Sequence, residues 1–289
     1  MRSIALFAFP QRPHAVDGVA RAATRLLSEG VDVIVSADLA EVLPSDLASR
    51  CEVMPASEFE RSADMVISFG GDGTLLAVAR LLIDTDTPIM GVNVGRLGFL
   101  AEFPVSALDE ALDDVMNGAY RIVDRTTLST EVNGIVTHAL NEFVVEKSTQ
   151  ARMIAIRAYV NEHHVADYRA DGILVATPTG STAYSLAAGG PIIAPSSRVI
   201  CLTPISPHTL TLRPLIVQDN SEIRLELPFA DTAASLVADG QIVASLTAGS
   251  SVVIRSSDHM VKLIKRANST YYDLLREKLL WSVDATRRT

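Results

Sequence analysis

No Lys/Arg-rich run occurs anywhere in the 289 residues, and acidic residues outnumber basic ones 34 to 25, for a net charge of −9. The electrostatic footprint for nucleic acid or an anionic membrane is therefore missing. No apolar run reaches the ~18 residues that a membrane-spanning helix needs. Cysteine is scarce. Cys51 and Cys201 stand far apart, without metal-ligand spacing, and read as two buried thiols of a reducing compartment. Repeats, low-complexity tracts and long linkers are absent. So are the G-x-G-x-x-G and G-K-[ST] fingerprints, which means that any nucleotide is held in another way. His163, His164, His208 and His259 lack metal-ligand spacing with acidic partners, which argues against zinc. The stretch from Met1 to Pro10 has one charge and a short apolar run but no cleavage site. It reads as a buried first strand of a cytoplasmic protein rather than a signal peptide.

What is present is core material: 48% of residues are hydrophobic and 20% charged, enough for one large domain or two ordinary ones. The chain begins in the α/β manner. Ile4 to Phe9 predicts a strand, and Val16, Val19, Ala20, Ala23, Leu26 and Leu27 share one helical face that stops at Gly30. Val31–Val35 and Thr87–Val94 predict further strands, the latter ending in the loop Gly95–Leu100. Ala107–Met116 predicts a helix closing near Gly118. After about Tyr120 the pattern changes to short strands. Asn133-Gly134, the 161–164 segment and Asp239-Gly240 sit at hairpin turns, the first suited to a type I′ turn. Ile223–Leu227, Val252–Ile254 and Val261–Ile264 read as three more strands. Tyr271–Trp281 reads as a closing amphipathic helix, and Asp284–Thr289 as a loose tail. The expected organisation is an α/β domain over 1–120, an all-β domain over 121–267 built as two packed layers, and a C-terminal helix and tail over 268–289.

Gly70-Gly71-Asp72-Gly73-Thr74 lies between the apolar runs 63–69 and 75–83, so it reads as strand, tight turn and helix. Glycines let a backbone approach a ligand closely, and N–H groups at a helix start favour anions. A carboxylate repels a phosphate, so Asp72 is aimed at a hydroxyl or a metal ion. Gly and Asp are also ordinary turn residues. The Asp171–Pro191 block reads as a strand over 172–176, a Pro178/Gly180 turn, and a short helix that Ser181 or Thr182 caps and Gly189 ends. It serves either as a well-capped turn or as a phosphate or ribose site. Asn141-Glu142 interrupts an apolar strand, as a bulge or strand end or as a ligand pair. Arg96, Arg152 and Arg169 lie near these motifs. Arg169 shares a strand face with Asp171, where a structural ion pair and phosphate binding are both open.

These three stretches, with Thr203-Pro204-Ile205-Ser206-Pro207-His208, occur in one order along the chain, and together the sequence resembles the bacterial NAD kinases. The glycine–aspartate turn is shared with diacylglycerol and sphingosine kinases; the Asp171–Pro191 block is far more specific. The resemblance implies a Rossmann-like α/β domain with a parallel sheet, followed by an all-β domain. It implies transfer of a phosphoryl group from ATP, or also from polyphosphate, to the 2′-hydroxyl of the adenosine ribose of NAD, giving NADP. Mg²⁺ or another divalent cation accompanies the donor, with no fixed protein ligands for it identified, and the assembly is a homodimer or homotetramer.

The resemblance also implies roles. Asp72 would be the base on the 2′-hydroxyl, with Gly73 against the dinucleotide, and Gly70, Gly71, Gly73 and Thr74 would form the donor loop. Asn141 and Glu142 would bind the nicotinamide-side ribose, and Asp171 the dinucleotide. Thr182, Ala183, Tyr184, Ser185, Leu186 and Ala187 would line the adenine and ribose pocket, with Arg152, Arg169 and Gln241 as further contacts. A lipid kinase sharing the glycine turn, and a dinucleotide sensor with a dead site, are the other readings. The Asp171–Pro191 block opposes the first, and the intact Asp72 and Asn141-Glu142 oppose the second.

Overall fold

Continuous apolar runs rather than alternating ones predict strands buried on both faces, and the first unit of the chain is built on them. The computed structural model describes residues 2–148, 153–228 and 233–281. The chain divides into two compact units, Met1–Asp124 with Val261–Thr289, and Arg125–Met260.

In the first unit, Ser3–Ala8, Asp32–Val35, Met65–Gly70 and Ile89–Asn93 pair in parallel. The sheet runs in the order 261–266, 89–93, 65–70, 3–8, 32–35, 52–53. All six residues of Met65–Gly70 are buried. The helix Pro13–Ser28 starts with Pro and buries Ala15, Val19, Ala22, Ala23 and Leu26. Helices Asp72–Leu81 and Leu108–Met116 complete the α/β pattern. Gly30 and Gly118 follow the first and last of these helices at φ +77° and +70°, the left-handed geometry that glycine adopts without strain. The two halves of the sheet grow outward from Ser3–Ala8: the chain first adds strands on one side, then crosses to add Met65–Gly70 on the other. The order therefore reverses between Ser3–Ala8 and Met65–Gly70, and ligands of open α/β sheets bind at the carboxyl ends of the strands flanking such a switch point.

The second unit is an antiparallel sandwich. One sheet carries His163–Ala170, Ile154–Val160, Ile223–Glu226 and the first part of Ser251–Arg266. The other runs Leu215–Gln218, Val199–Ile205, Gly172–Ala176, Glu142–Lys147, Ala234–Ala238, Gln241–Leu246. Phe143, Val145, Ile173, Val175 and Leu236 from the second sheet share a buried cluster with Ile154, Ile156, Leu225, Val252 and Ile254 from the first. The hairpin turns lie where the sequence predicts them. Asn133-Gly134, Asn161-Glu162 and Asp239-Gly240 all take positive φ at both central residues, as the two-residue hairpin requires.

Three expectations change. The segments Val252–Ile254 and Val261–Ile264 belong to one sixteen-residue strand, Ser251–Arg266. The polar stretch between them interrupts the apolar pattern, but it holds no glycine or proline to break the strand. The 121–267 domain instead ends at Met260, because the chain returns to the first unit at Val261, where Leu263 pairs with Ile89. The helix Tyr271–Leu279, opened by a capping box of Thr270 and Asp273, therefore belongs to the first unit rather than standing apart. Asp284–Thr289 lies outside the described residues. Among the described residues no helix is long and apolar enough to cross a membrane.

Phe143 is fully buried in the sandwich core. Phe143→Ala should cost about 3–5 kcal/mol of unfolding free energy. Chemical denaturation monitored by circular dichroism checks this, and a loss under about 1 kcal/mol would contradict the core assignment.

Candidate active site

The strand Met65–Gly70 delivers its turn to the switch-point edge of the first sheet, and Asp72 becomes the first residue of the following helix. A carboxylate there is favoured by the helix dipole. Its side chain, however, turns to the neighbouring loop. The N–H of Phe99 donates to Asp72 Oδ2 at 2.8 Å, and those of Leu100 and Ala101 donate to Oδ1, each at 3.0 Å. A carboxylate oxygen has two lone-pair positions, so Oδ1 is fully engaged and Oδ2 keeps one acceptor position. Gly98 makes the fit possible: a Cβ there would lie 1.9 Å from Asp72 Oδ1.

The glycines of the turn differ in kind. At Gly70 a Cβ would lie 2.1 Å from Thr74 Oγ1, so glycine is required by packing. At Gly71 and Gly73 nothing lies within 4 Å, so those positions face open space. Beside them is a cavity of about 460 Å³ lined by Gln11, Arg12, His14, Gly71, Gly95 and Arg96, among others. It sits at the carboxyl ends of Ser3–Ala8 and Met65–Gly70, where the strand order reverses. Asn93 shapes its far wall, donating from Nδ2 to Arg96 O at 2.5 Å and accepting from Gly95 N at 2.8 Å.

The second unit gathers the other motifs by the same kind of contact. Asp239 accepts from the N–H groups of Leu140, Asn141 and Glu142 at 2.8, 2.8 and 3.1 Å. This holds the Asp239-Gly240-Gln241 turn against Asn141-Glu142. Thr177 fastens the Asp171–Pro191 block to the same place, its N–H donating to Asn141 O at 2.9 Å and its hydroxyl to Leu140 O at 2.7 Å. A Cβ on Gly180 would lie 2.1 Å from Asn141 O, so this turn passes hard against the asparagine. Asn141 and Glu142 stand at the start of Glu142–Lys147. The strand-end reading is thus correct as geometry.

Glu142 is the electrostatic oddity. It is buried, and among the described residues nothing hydrogen-bonds its Oε2. Burial first, and the Asp239 carboxylate second, push its carboxyl from 4.5 up to about 8. Leaving such a group unsatisfied costs about 1–3 kcal/mol, which a donating ligand hydroxyl would remove. Burial first, and the carboxyl groups of Glu146, Asp171 and Glu142 after it, raise the Tyr184 phenol as well, although Tyr184 is 42% exposed.

Several expected details are corrected. Asp171 does not share a strand with Arg169: it is the junction between His163–Ala170 and Gly172–Ala176, which lie in different sheets. Its ion pair is with Lys147, at 2.6 Å, while Arg169 is exposed. Ser181 and Thr182 do not cap the short helix Tyr184–Ala187. They donate back to Pro178 O and Thr179 O, and Ser181 also accepts from Ile193 N. That helix is only four residues long, too short to offer an anion site. Ser185 is buried with its hydroxyl on Thr203 at 3.0 Å, so it packs rather than lining a pocket. Arg152 lies outside the described residues. Sequence reasoning gives no role to Gly98, the N–H groups of 99–101, Arg12 or Lys147. The glycine-containing loop Gly95–Leu100 is a signal for the first two, and the Asp239-Gly240-Gln241 turn is marked both as a hairpin and as part of the site. Among the described residues no group of three His, Cys, Asp or Glu side chains is placed to hold a metal ion.

Comparison with known proteins gives a consistent result. The family model described as the ATP-NAD kinase N-terminal domain matches residues 4–120, and that of the ATP-NAD kinase C-terminal domain matches residues 140–266. An NAD kinase of Syntrophotalea carbinolica is 38% identical over 286 residues, covering 97% of this chain and 99% of that protein. One of Solibacter usitatus is 45% identical over 233 residues, covering 79% and 81%. Yeast NADH kinase complexed with NADH superposes with a TM-score of 0.89 at 27% identity, over 100% of this chain and 90% of that one. An NAD kinase from Archaeoglobus fulgidus in complex with ATP gives a TM-score of 0.74 at 26% identity, over 98% of each.

Because folding favours protonated Glu142, the folded state binds more protons than the unfolded one between pH 4.5 and about 8. Stability falls as pH rises across that window. Glu142→Gln should therefore match wild type near pH 4.5 and exceed it by up to about a few kcal/mol above pH 8. Thermal melts across the window check this; a constant offset at all pH values would refute it.

Proposed function

The chain belongs to the NAD kinase family and phosphorylates NAD to NADP, and on that premise we propose that Asp72 is the carboxylate that receives the proton of the 2′-hydroxyl of the adenosine ribose. The observation that carries this is the triple N–H cradle of Asp72, which leaves one acceptor position on Oδ2 beside an open glycine turn. A ribose hydroxyl is a very weak acid and needs an acceptor within hydrogen-bond reach as it attacks. A carboxylate already held by the backbone does not have to be organised at the moment of reaction.

The donor's phosphates fit the cavity beside Gly71. Gly70, Gly71 and Gly95 bring bare backbone to its wall, the helix Asp72–Leu81 starts directly after Gly71, and Arg12 and Arg96 also line it. ATP is the donor in this reading, with polyphosphate as a further one. A divalent cation fits as a partner of the phosphates, since Mg²⁺ takes most of its ligands from phosphate and water; when bound it neutralises charge on the transferring group. Glu142, with an unsatisfied buried oxygen, receives a ribose hydroxyl, together with Asn141. Asp171, Arg169, Gln241 and the Thr182–Ala187 stretch complete the dinucleotide contacts. Ser185 acts there through packing. Ile242 and Val243, exposed on the edge strand Gln241–Leu246, support a homo-oligomer. The location is cytoplasmic.

Purified protein given NAD, Mg²⁺ and ATP or polyphosphate should form NADP, followed through a coupled NADP-specific dehydrogenase; absence of product with every donor would sink the assignment. Asp72→Asn should lower kcat by about 100-fold or more while NAD binding persists. Gly71→Ala, whose Cβ meets nothing, should leave the thermal midpoint unchanged and raise the KM for ATP. A stability loss instead would mark Gly71 as structural.

A further inference from the structure

The loop that holds Asp72 is itself held, from the far end of the chain. Lys265, on the returning strand, is 4% exposed. Its Nζ lies 2.5 Å from Glu102 Oε1 and 3.3 Å from Leu100 O. Leu100 is thus gripped on both backbone groups, its N–H by Asp72 and its C=O by Lys265. Lys278, on the helix Tyr271–Leu279, donates to Leu97 O and sets its ammonium 5.8 Å from the centroid of the Phe99 ring. Two lysines from the last thirty residues therefore grip the loop on either side of the three N–H groups that orient the carboxylate.

We propose that Lys265 and Lys278 are positioning residues for Asp72: the return of the chain into the first unit clamps the 97–102 loop and so aims the reactive carboxylate. This rests on the assignment of Asp72 made above. A buried Lys–Glu pair adds little net stability, because the desolvation of both charges offsets their attraction. What it does supply is direction. An ammonium has three donors and can fasten a carboxylate and a carbonyl together, here Glu102 and Leu100 of the same loop. Lys278 adds a second anchor three residues earlier. With both ends anchored, the N–H groups at 99–101 stay converged on one point. Without them the loop can shift by the ångström or so that costs orders of magnitude in rate.

The test uses the full chain and compares Lys278→Met, Lys278→Arg, the double variant Lys265→Met with Glu102→Leu, and Asp72→Asn. The double variant is chosen because Lys265→Met alone leaves a buried charge and risks unfolding. Four quantities are read: kcat, NAD affinity by calorimetry, thermal midpoint, and hydrogen exchange of the peptide containing residues 97–102. For Lys278→Met and the double variant, kcat should fall about tenfold or more while NAD affinity stays within about twofold. Exchange in that peptide should be about tenfold faster, with the midpoint near wild type. Lys278→Arg, which still donates to Leu97 O, should recover most of the rate. Wild-type kcat in both lysine variants overturns the clamp while leaving Asp72 in place, provided that Asp72→Asn is inactive. A fall in kcat matched by equal losses of affinity and midpoint also overturns it, by showing a purely structural role. Full activity of Asp72→Asn overturns both assignments.

Discussion

Three backbone N–H groups converging on one carboxylate organise the switch-point edge of the first unit. Asp72 sits 27 to 29 residues before its donors, so the contact closes the strand Met65–Gly70 and the loop after Ile89–Asn93 into one rigid edge. Each such charge-assisted bond contributes about 1.5–3 kcal/mol, enough together to decide where that loop lies. The contact works in both directions: the loop aims the carboxylate, and the carboxylate shapes the loop. Gly98 is the steric condition for it, and the cavity beside Gly71 lies at the edge it stabilises.

The second unit repeats the device. Asp239 accepts from three consecutive N–H groups, 140 to 142, nearly one hundred residues away. The two aspartates play different parts. Asp72 retains one acceptor position on Oδ2, whereas Asp239 is packed against Glu142 and raises the cost of ionising it. One carboxylate keeps an acceptor position, the one the proposed chemistry uses. The other builds the floor on which a carboxyl group is kept neutral, and so able both to donate and to accept a hydrogen bond.

The legible parts of the molecule are those where one residue type answers a local demand. Asn133-Gly134 and Asp239-Gly240 announce hairpins because positive φ is strained for most residues. Gly70-Gly71-Asp72 announces a strand–turn–helix because apolar runs flank it. The strands of the first unit are visible as unbroken apolar segments because both their faces are covered. What local reasoning mistook follows equally from physics. A hydroxyl near a short helix looks like a cap, but Ser181 is bonded to Pro178 and Ile193. Two charges two residues apart look like a strand-face pair, but the chain changes sheets at Asp171 and finds Lys147 instead.

The sequence alone determined the two textures of the chain, its turns, the glycine–aspartate motif and, through the order of its motifs, the family, because each is written in spacing that backbone geometry constrains locally. Tertiary structure alone decided that Val261 returns to the first sheet, that Asp72 is held by the N–H groups of residues 99–101, and that Lys265 and Lys278 reach that loop. Backbone donors carry no sequence signature, and a lysine reads the same whether it faces water or a carbonyl 165 or 181 residues away. Only the closing of the sheet brings those partners within reach.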